Sequence, residues 1–139
     1  MLPEPHPHPF GTKSKVKMMN ASENIATAPE WASTSKTVRK LNDNFRATFV
    51  GGRIVLTAGV AALAEHDLLE LLQLVRSFDA FNADNDPHDE HDFGAIEFSD
   101  HRYFWKIDYY DRSVEAGSED PADPTSTTRV LTIMRADEY

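Results

Sequence analysis

The sequence predicts an α+β domain in which two helices pack on one face of a small, mainly antiparallel sheet of about four strands. Three observations carry this reading. Two segments repeat apolar residues at spacings of three and four. An apolar–polar alternation runs along both arms of a hairpin around Ser99-Asp100. Two further short runs, RIVLTA and RVLTIMRA, have strand composition. A length of 139 residues, 40% apolar and 27% charged, allows one domain and disfavours two.

Residues 1–33 read as a disordered tail. They hold Pro3, Pro5, Pro7, Pro9 and Pro29 and no sustained apolar period, so they bury too little surface to offset the entropy of ordering. The His pair of HPHP is able to touch a metal, but a solvated extended leader is the plainer reading. The domain then spans 34–139. Thr34 or Ser35 caps a first helix whose stripe is Val38, Leu41, Phe45 and Phe49, with Lys36, Arg39, Lys40 and Arg46 on the remaining surface. Gly51-Gly52 ends it, Arg53 to Ala58 forms a strand, and Gly59 breaks that strand. Asp67 to Phe81 is the second helix, whose wide leucine-rich face marks it as the most buried element.

An acidic loop, NADNDPHDE, precedes the hairpin of Asp92–Phe98 and His101–Tyr110. A two-residue turn at Ser99-Asp100 makes paired positions sum to 199. Ile96 then faces Tyr103, Gly94 faces Trp105 and Asp92 faces Ile107 on a core side, where Gly94 leaves room for the indole. The other side pairs Glu97 with Arg102, Phe93 with Lys106, and His91 with Asp108. Residues 112–128 form a long polar loop, of a length that is more often functional or mobile than incidental. Arg129 to Ala136 supplies the last strand.

Charge narrows the function classes. Fourteen Lys+Arg against 23 Asp+Glu give a net charge of −9, which argues against a general nucleic-acid binder. The imbalance is uneven: eight basic and four acidic residues up to Arg53 (+4), six and nineteen beyond it (−13). The chain has no cysteine, hence no thiolate metal site or cysteine nucleophile. The longest nearly apolar stretch, Ile54 to Ala64, is half the roughly 20 residues of a spanning helix. The N-terminus lacks the basic end and apolar run of a secretory signal, so a cytoplasmic location is expected.

The densest ionisable cluster is His88 to Asp92, with Asp108 and Asp111 returned beside it by the hairpin. An imidazole facing a carboxylate suits a general base or a metal ligand. On that reading His91, Asp108 and Lys106 are the catalytic candidates, Lys106 steadying an anion. His91, Asp92 and Asp108 are the candidate ligands of a divalent metal, the one cofactor the sequence suggests. No known metal motif is present: HDEH is neither HExxH nor HxxEH, and an EF-hand starting at Asn82 fails at Pro87 and Phe93. The plainer alternative is a solvated acidic loop with His91–Asp108 pinning the hairpin. Tyr103 and Trp105 read as core, whereas Tyr110 reads as projecting outward. With Glu90 and Asp111 it is a candidate for contact with a partner.

GGRIVLTAGV (51–60), FNADNDPHDEHDFG (81–94), FWKIDYYD (104–111), GSEDPADP (117–124) and TRVLTIMRADEY (128–139) resemble, in this order, a bacterial family labelled a domain of unknown function. Its members are small proteins, often plasmid-borne or near mobile-element genes. The resemblance covers residue 39 to the C-terminus and implies no activity, fold or ligand. It draws attention to Glu90–Gly94 and Trp105–Asp111, and departs from the family at His88-Asp89, where an aromatic residue and Gly are expected.

Three functions follow as expectations. The leading one is an acidic accessory protein that acts by contact with another protein, as an inhibitor or nucleic-acid mimic. The second is a metal-dependent hydrolase or nuclease centred on His91, Asp92 and Asp108. The third lays the basic first helix along nucleic acid, which the absence of any recognised binding signature disfavours. The sequence does not fix the oligomeric state.

Overall fold

A computed structural model describes the backbone of residues 30–139 and the side chains from Thr34 onward. The tail expected over 1–33 lies, up to residue 29, outside the described residues. Helix α1 spans Glu30–Thr48, strand β1 Gly52–Leu56, the short helix α2 Ala58–Ala61 and helix α3 Glu65–Arg76. Strands β2 (Phe93–Phe98), β3 (His101–Tyr110) and β4 (Thr128–Arg135) follow, and a 3-10 turn over Ala136–Glu138 ends the chain. This is the expected α+β class. The four strands run in the order β1-β4-β3-β2. Both pairs made by β3 are antiparallel, whereas β1 lies parallel to β4 on the far edge.

The hairpin register is the expected one. Six pairs from Phe93↔Lys106 to Phe98↔His101 all sum to 199. Ser99 and Asp100 sit at φ 53° and 64°, the doubly left-handed geometry of a type I′ turn, whose twist matches that of the strands. Alternation then sends Ile96, Tyr103, Trp105, Ile107, Tyr109, Leu131 and Ile133 to one side of the sheet. These residues share one buried cluster with Val38 and Phe45 of α1, Val60 of α2, and Leu71 and Val75 of α3. Burying such side chains yields roughly 1.5–3 kcal/mol each, the main term holding helices to sheet.

Helix boundaries depart from the sequence reading for identifiable reasons. Thr34 and Ser35 lie inside α1, not at its cap, and Ser35 is buried. Helix α3 stops at Arg76, so Phe78 and Phe81 leave the helix and pack edge-on against Trp105. Its wide apolar face is only partly used: Leu71 and Val75 are buried, but Leu69 is 58% exposed. Arg46, expected on the solvated side of α1, is buried, donating to Asp43 and the Phe78 carbonyl with its guanidinium over the Phe81 and Trp105 rings. The third function needed Arg39 and Arg46 free on that surface. Arg39 is paired with Asp89.

At the C-terminal end, Glu138 accepts from Thr57 Oγ1 (2.6 Å), Gly59 N (2.8 Å) and Arg135 N (2.9 Å), clamping the β1–α2 turn to the last strand. The Thr57 hydroxyl above all, then these backbone donors, holds its carboxyl below the usual glutamate range. With the folded pKa depressed, the clamp stabilises fully above the ordinary glutamate value and is lost as pH falls through the folded value. Glu138→Gln is expected to lower stability to denaturant at neutral pH, with the difference from wild type shrinking as pH falls below the ordinary glutamate range. Gly94 carries the tightest packing constraint of the hairpin. A Cβ there meets Trp105 Nε1, with Cε2 at 2.7 Å and Phe78 Cζ at 2.8 Å. Gly94→Ala should therefore cost about 1–3 kcal/mol in a denaturation series.

Candidate functional site

The acidic loop between α3 and β2 folds against α1, and its geometry starts from Asn82 and Asp86. The Asn82 side chain accepts from the backbone N–H of Asp84 and Asn85, a local turn that Asn forms readily. Asp86 Oδ1 accepts from the N–H of Glu90 (3.0 Å) and His91 (3.2 Å), closing the loop on itself. Two non-glycine residues, Asp89 (φ 57°) and His91 (φ 56°), adopt left-handed backbone. The glycine that the family resemblance leads one to expect at position 89 adopts that conformation without strain.

His91 consequently leaves the strand before pairing begins. Its ring stacks on Phe81 (3.7 Å between centroids, 3° between planes), and Nδ1 lies 2.9 and 3.1 Å from the two Asp43 oxygens. A carboxylate only accepts, so Nδ1 carries the proton, and in the neutral ring Nε2 presents its lone pair. Nε2 faces Asp86 Oδ2 at 3.6 Å and Asp89 Oδ1 at 3.8 Å. Burial raises the Asp86 carboxyl above the usual aspartate range, an effect its two backbone hydrogen bonds only partly offset. Phe81, Asp86, Asp89 and His91 line part of a cleft of about 390 Å³ that also reaches Asn82 and Pro87.

Behind this cleft lies a buried polar network. The Asn42 amide, fully buried, donates to the Glu90 carbonyl (3.0 Å) and to the Tyr109 hydroxyl (2.8 Å), and accepts from Arg129 Nε (2.8 Å). Tyr109 donates onward to Glu90 Oε1 at 3.3 Å. Burial, with Asp92 and Glu90 nearby, drives the Tyr109 phenol well above its usual pKa and keeps it protonated. Arg129 also donates to the Pro121 carbonyl and lies over the Tyr109 ring, tying down the long loop after β3.

The residues singled out in the sequence are distributed differently from expectation. His91 and Asp108 are not brought together. Asp108 alternates to the sheet face away from the helices, where Lys106 Nζ lies 3.1 Å from it, while His91 turns to the helix side. Asp92 is buried, its carbonyl accepting from Ile107 N at 2.9 Å as the register requires, and it sits close enough to Tyr109 to act on its phenol. Of the contact candidates, Glu90 is 1% exposed. Tyr110 is buried with Val114 and Val130 instead of projecting outward. Asp111 is half-buried and accepts from Ser113 Oγ and Glu115 N. Those bonds, Glu115 N foremost, hold its carboxyl below the usual range. Sequence reasoning missed Asn42, Asp43, Arg46 and Arg129. Asn42 carries a local signal, a polar residue four positions after Val38 on the apolar stripe of an amphipathic helix, whereas Asp43 lies off that stripe, and the partners of both are far away in sequence.

A family model described as "Protein of unknown function (DUF3768)" matches residues 56–138. The match starts at the last residue of β1, so the loop and hairpin lie inside it and α1, with Asn42 and Asp43, lies outside. No curated protein and no solved structure matches the chain.

Removing the Asn42 amide strands the Arg129 Nε–H and leaves the Glu90 carbonyl and the Tyr109 hydroxyl each short of a donor, all away from water. Asn42→Ala should cost about 2–4 kcal/mol in chemical denaturation, more than the loss of one exposed hydrogen bond.

Proposed function

The chain belongs to the DUF3768 family of proteins of unknown function, and from that premise we infer that it is an accessory protein acting by contact with another protein. One observation carries this reading: its acids lie outside and several of its cations are turned in. Of the nineteen acidic residues beyond Arg53, only Asp86, Glu90, Asp92 and Asp108 are buried. Meanwhile Arg46 and Arg129 are buried and Arg39 is paired with Asp89. Fifteen of those nineteen acids therefore stay at least partly exposed, which keeps the surface strongly acidic. It suits a partner with a basic surface, such as the groove of an enzyme that processes nucleic acid, which this chain occupies as an inhibitor or mimic.

The sheet face away from the main core adds apolar anchors. Phe93, Phe104 and Tyr139 form an aromatic group there beside the Lys106–Asp108 pair. A bacterial, mobile-element-encoded protein of the cytoplasm fits this role. No helix among the described residues is long and apolar enough to cross a membrane. The hydrolase centred on His91, Asp92 and Asp108 is less well supported, because His91 and Asp108 face opposite sides of the sheet.

The test is capture from bacterial lysate on the immobilised full chain. Nucleic-acid-processing proteins should be retained at low salt, displaced by added duplex DNA, and lost with Asp84→Lys/Glu115→Lys/Glu119→Lys. An empty column at low salt, or equal capture by the charge-reversed chain, refutes the contact reading.

A further inference from the structure

We propose that Asp86, Asp89 and His91 form a binding site for a divalent metal ion of the zinc and manganese class. Each offers one donor atom, and the three atoms lie within 4.8 Å of one another. The inference does not depend on the contact reading, since a metal that fixes this loop is compatible with any partner.

Three features raise this group above an acidic loop. The first is the ring's orientation: Nδ1 lies 2.9 Å from Asp43, which leaves Nε2 as the ring nitrogen that faces the two carboxylate oxygens and is placed to take a metal. This carboxylate–histidine arrangement orients metal-bound imidazoles and raises their basicity. The second is Asp86. Its side chain is only 4% exposed, and Oδ1 takes both of its backbone hydrogen bonds. Oδ2 accepts no hydrogen bond from the described residues and is aimed into the cluster, 3.6 Å from Nε2. A carboxylate in so buried a side chain is stabilised by a positive charge facing this second oxygen. The third is access: all three ligands line the cleft, which leaves room for water to complete the coordination.

Negative charge converges on the cluster: Asp86 and Asp92 are both buried, and Asp92 acts on the Asp86 carboxyl. One imidazole with two carboxylates matches zinc or manganese, whereas calcium and magnesium prefer oxygen-only sets.

The experiment is calorimetric titration of the chelator-treated full chain with Zn²⁺ alone, with His6 and His8 replaced by Ala so that the N-terminal pair does not contribute. One ion per chain is expected. Asp86→Asn keeps the Oδ1 acceptor that closes the loop, and Asp89 lies at the surface, so Asp86→Asn and Asp89→Asn test the site without the fold at risk. Each should weaken binding at least tenfold, as should His91→Ala, and Asp43→Asn should cost about 10–100-fold through the ring it orients. Circular dichroism checks that each variant is folded. No stoichiometric binding by the parent chain, or undiminished affinity in the folded Asp86→Asn and Asp89→Asn variants, overturns the site. So does a His91 ring that NMR titration shows protonated at neutral pH with Zn²⁺ present.

Discussion

The Asn42 amide is the constraint around which the molecule is arranged. It is fully buried in a helix, where an uncompensated amide costs several times what a hydrogen bond returns. Its donors and acceptor reach the loop before β2, the third strand and the fourth strand, and through Arg129 the segment at Pro121. The apolar cluster permits many small shifts of helix against sheet, because contact between hydrocarbon surfaces has no direction. The amide does not, since each of its bonds fails beyond a few tenths of an ångström. Hydrophobic burial supplies most of the stabilisation, and this network fixes where α1 comes to rest.

That placement explains the cleft. With α1 fixed at Asn42, the next residue, Asp43, meets the imidazole of His91, and one turn further Arg46 sits between Asp43 and the Phe81 and Trp105 rings. Stacking on Phe81 and bonding to Asp43 together fix the plane and the tautomer of the His91 ring. The left-handed backbone at Asp89 and His91 is the local strain that turns these side chains away from the ladder. The cleft is a joint product of a segment inside the family match and a helix outside it.

The parts legible in the sequence were those decided by neighbours in the chain. Alternation and a two-residue turn gave the hairpin register pair by pair, and the exclusion of a side chain at Gly94 followed from that register. Helical periodicity located α1 and α3, but not their ends, because Ser35 is held inside α1 and Phe78 and Phe81 fit Trp105 better off the helix. The parallel pairing of β1 with β4 was not legible, since no local pattern says which edge a short apolar strand will take. The site was half legible. The acidic loop and His91 stood out, yet extending strict alternation two residues past Phe93 assigned His91 to Asp108, when a positive φ turns it to Asp43, 48 positions away. Arg46 and Arg129 looked like surface charges because nothing in one-dimensional spacing marks a cation destined for aromatic faces and buried carbonyls.

The position of β4 has a consequence for how the chain is made. The last of the four described strands lies between β1 and β3, so β1 gains its partner strand among the described residues when residues 129–133 are available. During synthesis the hairpin and the helices emerge first and have an unpaired strand edge on β3 to wait with. The sheet is then completed in one step by the final segment, across a separation of 77 positions from Gly52 to Arg129. A chain cut off before Thr128 therefore lacks a central strand of its sheet and leaves β1 without the strand it pairs with, so it is not a shortened version of the finished fold.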